Sequence, residues 1–240
     1  MNKLKSVIQY ECMTSFRYIW IFYAVQYAII SLITLIMGIS TGTFENLGTN
    51  FLEMNTLIFV SILGVLGFKE DFKTLIQNGF TRKYIFIGTF SLFCFMSGIM
   101  ALVDTVIGNV LHQFNNHYMS LYGRIYGYGN FIMNWLWLFF VYVLFCSLMY
   151  LAVLVINKVG KITAIYLGVI LGGIVLLTVA LFRYVLSAKV ISSIIAFVTK
   201  AMGFMADGTI NYLFPALTLF ILAAILGSCS YAVIRRTELK

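Results

Sequence analysis

The chain has 240 residues, carries 16 Lys+Arg against 8 Asp+Glu for a formal net charge of +8, and is 62% hydrophobic but only 10% charged. Its mean hydropathy is +0.98, whereas soluble domains are about a quarter charged. Such a chain cannot cover a water-exposed surface, which excludes a soluble globular fold, a disordered tail and a disulfide scaffold and leaves an all-α integral membrane protein. The basic residues sit at the ends of apolar runs and form no stripe that could follow phosphates, so the bilayer is the expected partner and nucleic acid is not.

A helix needs about 20 mostly apolar residues to cross a hydrocarbon core of about 30 Å. Residues 3–16 come first, with Leu4, Val7, Ile8, Cys12 and Phe16 on one helical face and basic flanks. That pattern predicts an interfacial helix over 1–17, or a plain juxtamembrane extension. Residues 18–240 then form a six-helix transmembrane domain with spans at 18–38, 51–68, 84–111, 131–156, 162–182 and 212–234. The second is short and the third long enough to tilt. Continuous apolar runs without alternation exclude a β-barrel. Pro215, the only proline, falls in the first turn of the sixth span, where a missing N–H costs nothing.

With the N-terminus inside, the inner segments hold Lys3, Lys5, Arg17, Lys69, Lys73, Arg82, Lys83, Lys158, Lys161, Arg235, Arg236 and Lys240, and the outer ones only Arg124, Arg183, Lys189 and Lys200. This twelve-to-four split predicts both termini on the cytoplasmic side. The first span lacks a small-residue cleavage site and reads as an anchor. Cys12, Cys94, Cys146 and Cys229 avoid the outer loops, so no disulfide framework is expected.

Three connections stand out. In the 69–83 loop, Glu70 and Asp71 suit a helix N-terminus. Phe72, Leu75 and Ile76 form an apolar face, Lys73 and Gln77 lie exposed, and Asn78-Gly79 is a plausible stop. This is a short amphipathic helix, either a docking element for a cytoplasmic partner or a helix lying on the membrane. Residues 112–130 carry Tyr122, Tyr126 and Tyr128 between glycines, which suggests an aromatic belt on a mobile loop. Residues 183–211 are too apolar for a solvated loop; Ile191, Ile194, Ile195, Val198 and Met202 mark a face, and Gly203-Phe204 and Asp207-Gly208 supply a break. Bare loops cannot sit in lipid, so short outer re-entrant helices are expected.

Catalytic chemistry is missing. There is no G-x-x-x-x-G-K-[ST] loop for ATP, no G-x-S-x-G elbow around Ser97, and no metal cluster, since His112 and His117 stand in a polar loop without cysteines or acids nearby. Asp104 is the one acid well inside an apolar run. About 20 residues from Tyr84 at 1.5 Å each place it about 30 Å away, near the outer interface. There it would reach water, Asn109, Arg124 or Arg183, in a structural or gate-closing role, with a proton relay as the alternative. The other five spans read as free of interior charge, which disfavours an ion-coupled carrier.

The order of elements and the stretch Glu70, Asp71, Phe72, Lys73, Thr74, Leu75, Ile76, Gln77, Asn78, Gly79, Phe80, Thr81, Arg82 and Lys83 resemble the permease subunit of type-2 ABC exporters (ABC-2), closest to Gram-positive permeases that export amphipathic peptides such as phenol-soluble modulins. The resemblance covers essentially the whole chain. It implies a half-transporter that pairs with a second permease copy or a related chain and with two separate ABC ATPase subunits, which carry the ATP and magnesium. Residues 70–80 would then be the coupling helix, with Glu70, Asp71, Phe72, Leu75, Ile76 and Gln77 facing the ATPase. Residues 183–211 would close the exit, with Ile191, Ile195 and Phe204 joining Asp104 at an outer gate. The cargo would be a cytolytic or antimicrobial peptide leaving a bacterial plasma membrane. The alternatives are a membrane-embedded substrate-binding subunit of a vitamin uptake system, with Ala24 and Ala28 as a helix-pairing motif, and an intramembrane hydrolase, for which no nucleophile or metal ligand is found at depth.

Overall fold

The computed structural model describes residues 2–42, 50–69, 75–76, 79–115 and 117–235. Among them the chain is helical, with α1 (Asn2–Thr41), α2 (Glu53–Lys69), α3 (Arg82–Phe114), α4 (Leu121–Tyr126), α5 (Phe131–Val159), α6 (Lys161–Tyr184), α7 (Ala188–Ala201) and α8 (Leu213–Arg235). The sole pairing of extended residues among those described is the isolated bridge between Phe204 and Ile210. Five helices are long and apolar enough to cross a membrane: α1 from Ser15 onward, α3, α5, α6 and α8. The chain is therefore an all-α, multi-pass membrane protein. The remaining expected span, α2, is a helix of 17 residues, about 25 Å long and short of a full hydrocarbon core.

Local chemistry explains where the helices stop. Gly160 (φ +86°) is the single residue between α5 and α6, and its N–H donates to the Ile156 carbonyl at 2.9 Å. Left-handed backbone is cheap for glycine, so two spans join through one residue. Pro215 is the third residue of α8, inside the turn whose N–H groups have no helical acceptor anyway. At the first boundary α1 runs unbroken over 40 residues, about 60 Å, so residues 2–17 and the first span are one helix. No glycine or proline lies between Asn2 and Met37 to interrupt it.

The basic end of the bundle gathers Arg82, Lys158, Lys161 and Arg235, and Arg82 Nη1 donates to the Arg235 carbonyl at 2.7 Å, tying the start of α3 to the end of α8. At the far end, the N–H groups of Phe51 and Met119 donate to the Met119 carbonyl (2.9 Å) and to Asn50 Oδ1 (3.0 Å). α5 is the hub, packed on α2, α3 and α8, while α1 lies on α3. The closest approach is α2 on α5: a Cβ on Gly64 would come 2.5 Å from the Cys146 carbonyl oxygen, and Cys146 Sγ donates to the Val60 carbonyl at 3.2 Å. In lipid, helices gain little from leaving an already apolar solvent, so close packing and interhelical hydrogen bonds hold such a pair. α6 has no buried residue and meets the bundle chiefly at its junction with α5.

Candidate functional site

Asp104 sits on the inward stripe of α3 formed by Met100, Ala101, Asp104, Thr105 and Gly108. Its side chain is 4% exposed. From α1, the Tyr23 hydroxyl lies 2.9 Å from Oδ1 and 3.1 Å from the Met100 carbonyl. From α5, the buried Tyr142 hydroxyl donates to Oδ2. Three helices thus converge on one carboxylate, and each tyrosine reaches it because it belongs to a buried helical stripe of its own: Ile19, Tyr23 and Gln26 on α1, and Leu138, Tyr142 and Cys146 on α5. The partners expected from depth are elsewhere. Asn109 Nδ2 donates to the Thr105 carbonyl at 2.7 Å, Arg124 is exposed on α4, and Arg183 lies over the Tyr184 ring at the end of α6. Counting residues gave a height along the helix but not the side that neighbouring helices cover.

A second carboxylate corrects the expectation that the second span is free of interior charge. Glu53, the first residue of α2, is 1% exposed. A Cβ on Gly108, one α3 turn beyond Asp104, would lie 3.6 Å from Glu53 Oε1. Its own backbone N–H and that of Leu121 face it, yet neither Glu53 oxygen forms a hydrogen bond of good geometry. One α2 turn on, fully buried Thr56 places its hydroxyl beside both Tyr23 and Asp104, again without a well-formed bond. Tyr118, outside the spans, borders Glu53, and burial first and then that carboxylate's charge push its phenol well above the ordinary value. Among the described residues Glu53 and Asp104 are the buried charged side chains, and no Lys, Arg or His is buried with them.

The polar character continues on α3 and α5, where Thr89, Ser97, Thr105, Asn134 and Ser147 are buried and each has a side-chain oxygen without a hydrogen bond of good geometry. An unpaired buried polar group costs roughly 1–3 kcal/mol. Beside the cluster, an apolar groove of about 520 Å³ between α1 and α2 is lined by Tyr18, Phe22, Gln26, Ile30, Asn55 and Phe59, among others. Gln26 is its polar end: Nε2 donates to the Leu52 carbonyl at 3.4 Å, and Oε1 is unpartnered.

The other expected site residues are dispersed. Of the docking face, Glu70, Asp71, Phe72 and Gln77 lie outside the described residues, while Leu75 is 9% exposed and joins the core with half-buried Ile76. The stop at Gly79 is present: φ is +76°, the Gly79 N–H donates to the Ile76 carbonyl (2.9 Å) and the Phe80 N–H to the Leu75 carbonyl (3.0 Å), the paired bonds of a Schellman cap. Of the outer gate, half-buried Ile191 and 58%-exposed Ile195 lie on α7, which packs on α8, whereas Asp104 is enclosed by α1, α3 and α5. Phe204 instead stacks on Tyr126 (5.7 Å, 13°), whose hydroxyl donates to the Met202 carbonyl at 2.9 Å.

The tyrosine-rich loop is more ordered than its glycines suggested. Ser120 caps α4 through the Gly123 N–H (3.0 Å), and His112 stacks on Tyr128 at 3.6 Å. No metal-holding group of His, Cys, Asp and Glu occurs among the described residues. Comparison with protein-family models, with curated proteins and with solved structures finds no match to this chain.

Proposed function

We propose that the chain is the permease subunit of an ATP-driven exporter of the ABC-2 kind, with α2 as a short sixth span, both termini cytoplasmic and the bacterial plasma membrane as its site. The observation that carries this reading is the anchored connection between α2 and α3. Its helical turn is closed by the Gly79 cap and seated on the bundle through Leu75 and Ile76. A push on a segment held this way passes to α2 and α3, the helices that carry Glu53, Thr56 and Asp104. ATP and magnesium belong to a separate ATPase pair, and a second copy or a related chain completes the pathway. The groove between α1 and α2 opens sideways on the lipid face and suits an amphipathic peptide entering from the membrane. The vitamin-uptake reading uses Ala24 and Ala28, which are exposed on α1, but leaves the anchored turn without a task.

The orientation of Leu75 reshapes the test. Phe72→Glu should release a co-purifying ATPase while the permease still inserts, whereas Leu75→Ala should lower the stability of the permease itself. Purification of the full chain in mild detergent with mass spectrometry of its partners reads both. A chain that emerges without an ATPase at any yield overturns the proposal.

A further inference from the structure

We infer that the chain binds an alkali-metal cation between α1, α2, α3 and α5, with Glu53 and Asp104 as its charged ligands and Thr56 as a neutral one. Glu53 Oε1 lies 3.6 Å from where a Cβ on Gly108 would stand, and Gly108 is one α3 turn beyond Asp104. No buried Lys, Arg or His compensates them among the described residues. Two carboxylates in a low-dielectric interior repel each other and lose their hydration, so such a pair must be neutralised, by a proton or by a cation.

Asp104 has its oxygens oriented by Tyr23 and Tyr142, whereas Glu53 has both oxygens unpartnered at 1% exposure. The independent sign of a ligand is Thr56. Its hydroxyl is fully buried within reach of Asp104 and Tyr23 but forms no well-aligned hydrogen bond with either. A proton on one carboxyl would remove the repulsion but leave that oxygen idle. A hard cation uses carboxylate, hydroxyl and carbonyl oxygens together. Among the described residues, the titratable groups facing the acids are phenols: Tyr23 and Tyr27 from α1, Tyr118 ahead of α4 and Tyr142 from α5. Toward the far end the acids are followed by buried Gly108 and Tyr118. There His112, one turn beyond Gly108 on α3, contacts the Tyr118 carbonyl at 3.2 Å and is half-buried.

The experiment uses the full-length permease in lipid nanodiscs, without any ATPase, so its failure is separate from failure of the exporter reading. Binding of ²²Na⁺ is measured at equilibrium, and the unfolding midpoint is followed in sodium, lithium, potassium and choline chlorides at fixed ionic strength. Saturable binding near one ion per chain is expected, with a midpoint at least about 3 °C higher in the preferred alkali chloride than in choline. Glu53→Gln and Asp104→Asn should each abolish both effects. Thr56→Val, close in shape and charge, should weaken binding about tenfold while leaving the choline midpoint within about 2 °C, and Asp207→Asn on the exposed far-end loop should leave sodium binding and the sodium–choline difference in midpoint unchanged. Equal midpoints in every chloride with no saturable ²²Na⁺ binding would overturn the inference. So would a midpoint that responds to pH in choline but to no alkali cation, since the acids would then be neutralised by protons alone.

Discussion

Replacing Tyr142 with phenylalanine removes one oxygen from the centre of the bundle and nothing else. Tyr142 is fully buried and its hydroxyl donates to Asp104 Oδ2, so the variant opens no methyl-sized cavity and leaves Asp104 with Tyr23 alone. The expected magnitude depends on the charge of Asp104. Neutral hydrogen bonds between membrane helices average about 0.6 kcal/mol, and bonds to an ionised partner are roughly twice as strong. A loss of about 1.2–2 kcal/mol is therefore expected, which lowers the unfolding midpoint by about 3–8 °C for a chain of this size. Thermal unfolding in nanodiscs followed by helical circular dichroism reads the shift, and the double variant with Asp104→Asn tests its origin. In the Asp104→Asn background the same Tyr142→Phe change should cost about half as much or less, because the charge that strengthens the bond is gone. A midpoint within about 1 °C of the parent for Tyr142→Phe, or strict additivity in the double variant, would refute the view that the tyrosine serves a buried carboxylate.

Two further outcomes follow from the geometry. Gly64→Ala places a methyl 2.5 Å from the Cys146 carbonyl oxygen, between two backbones that cannot both yield; overpacking of this kind costs about 1–3 kcal/mol, and the variant should show reduced folded yield on size-exclusion chromatography, while Gly168→Ala, with open space around it, should not. At the far-end loop, Asp207 accepts from the Thr209 N–H (3.1 Å) and hydroxyl (2.7 Å), and the hydroxyl bond above all holds its carboxyl below the ordinary range. Its contribution is therefore complete above the ordinary aspartate value of about 3.9 and is lost as pH falls through the depressed one; protection of the Thr209 amide from hydrogen exchange should follow that acid limb in the parent and be flat in Asp207→Asn.

Residues legible in the sequence and residues hidden from it differ in physical kind. Gly79 and Pro215 are readable because each acts on its own few bonds: left-handed backbone at a helix end, and an unneeded N–H at the start of α8. The apolar character of Leu75 is legible in the sequence, but its direction belongs to the bundle it meets, and there it points inward. Glu53 went unnoticed because an acid in the first turn of an apolar run looks like a solvated helix start. Only the covering of that turn by Gly108, Tyr118 and the segment before α4 makes it a buried charge. Tyr23 and Tyr142 looked like ordinary tyrosines of apolar spans.

By itself, then, the order of residues determined that this is an all-α membrane protein, roughly where its apolar helices begin and end, and which turns join them, since hydrophobic length and backbone preference are local quantities. Tertiary structure alone decided which faces are buried. It brought Tyr23, Glu53, Thr56, Asp104 and Tyr142 from four helices to one polar centre and drew α2 onto α5 at Gly64. It also dispersed the residues expected at an outer gate between the core and α7. Those outcomes depend on the rotation and pairing of helices separated by many residues of chain, and the uniformly apolar surfaces of membrane spans carry little periodicity from which to read that rotation.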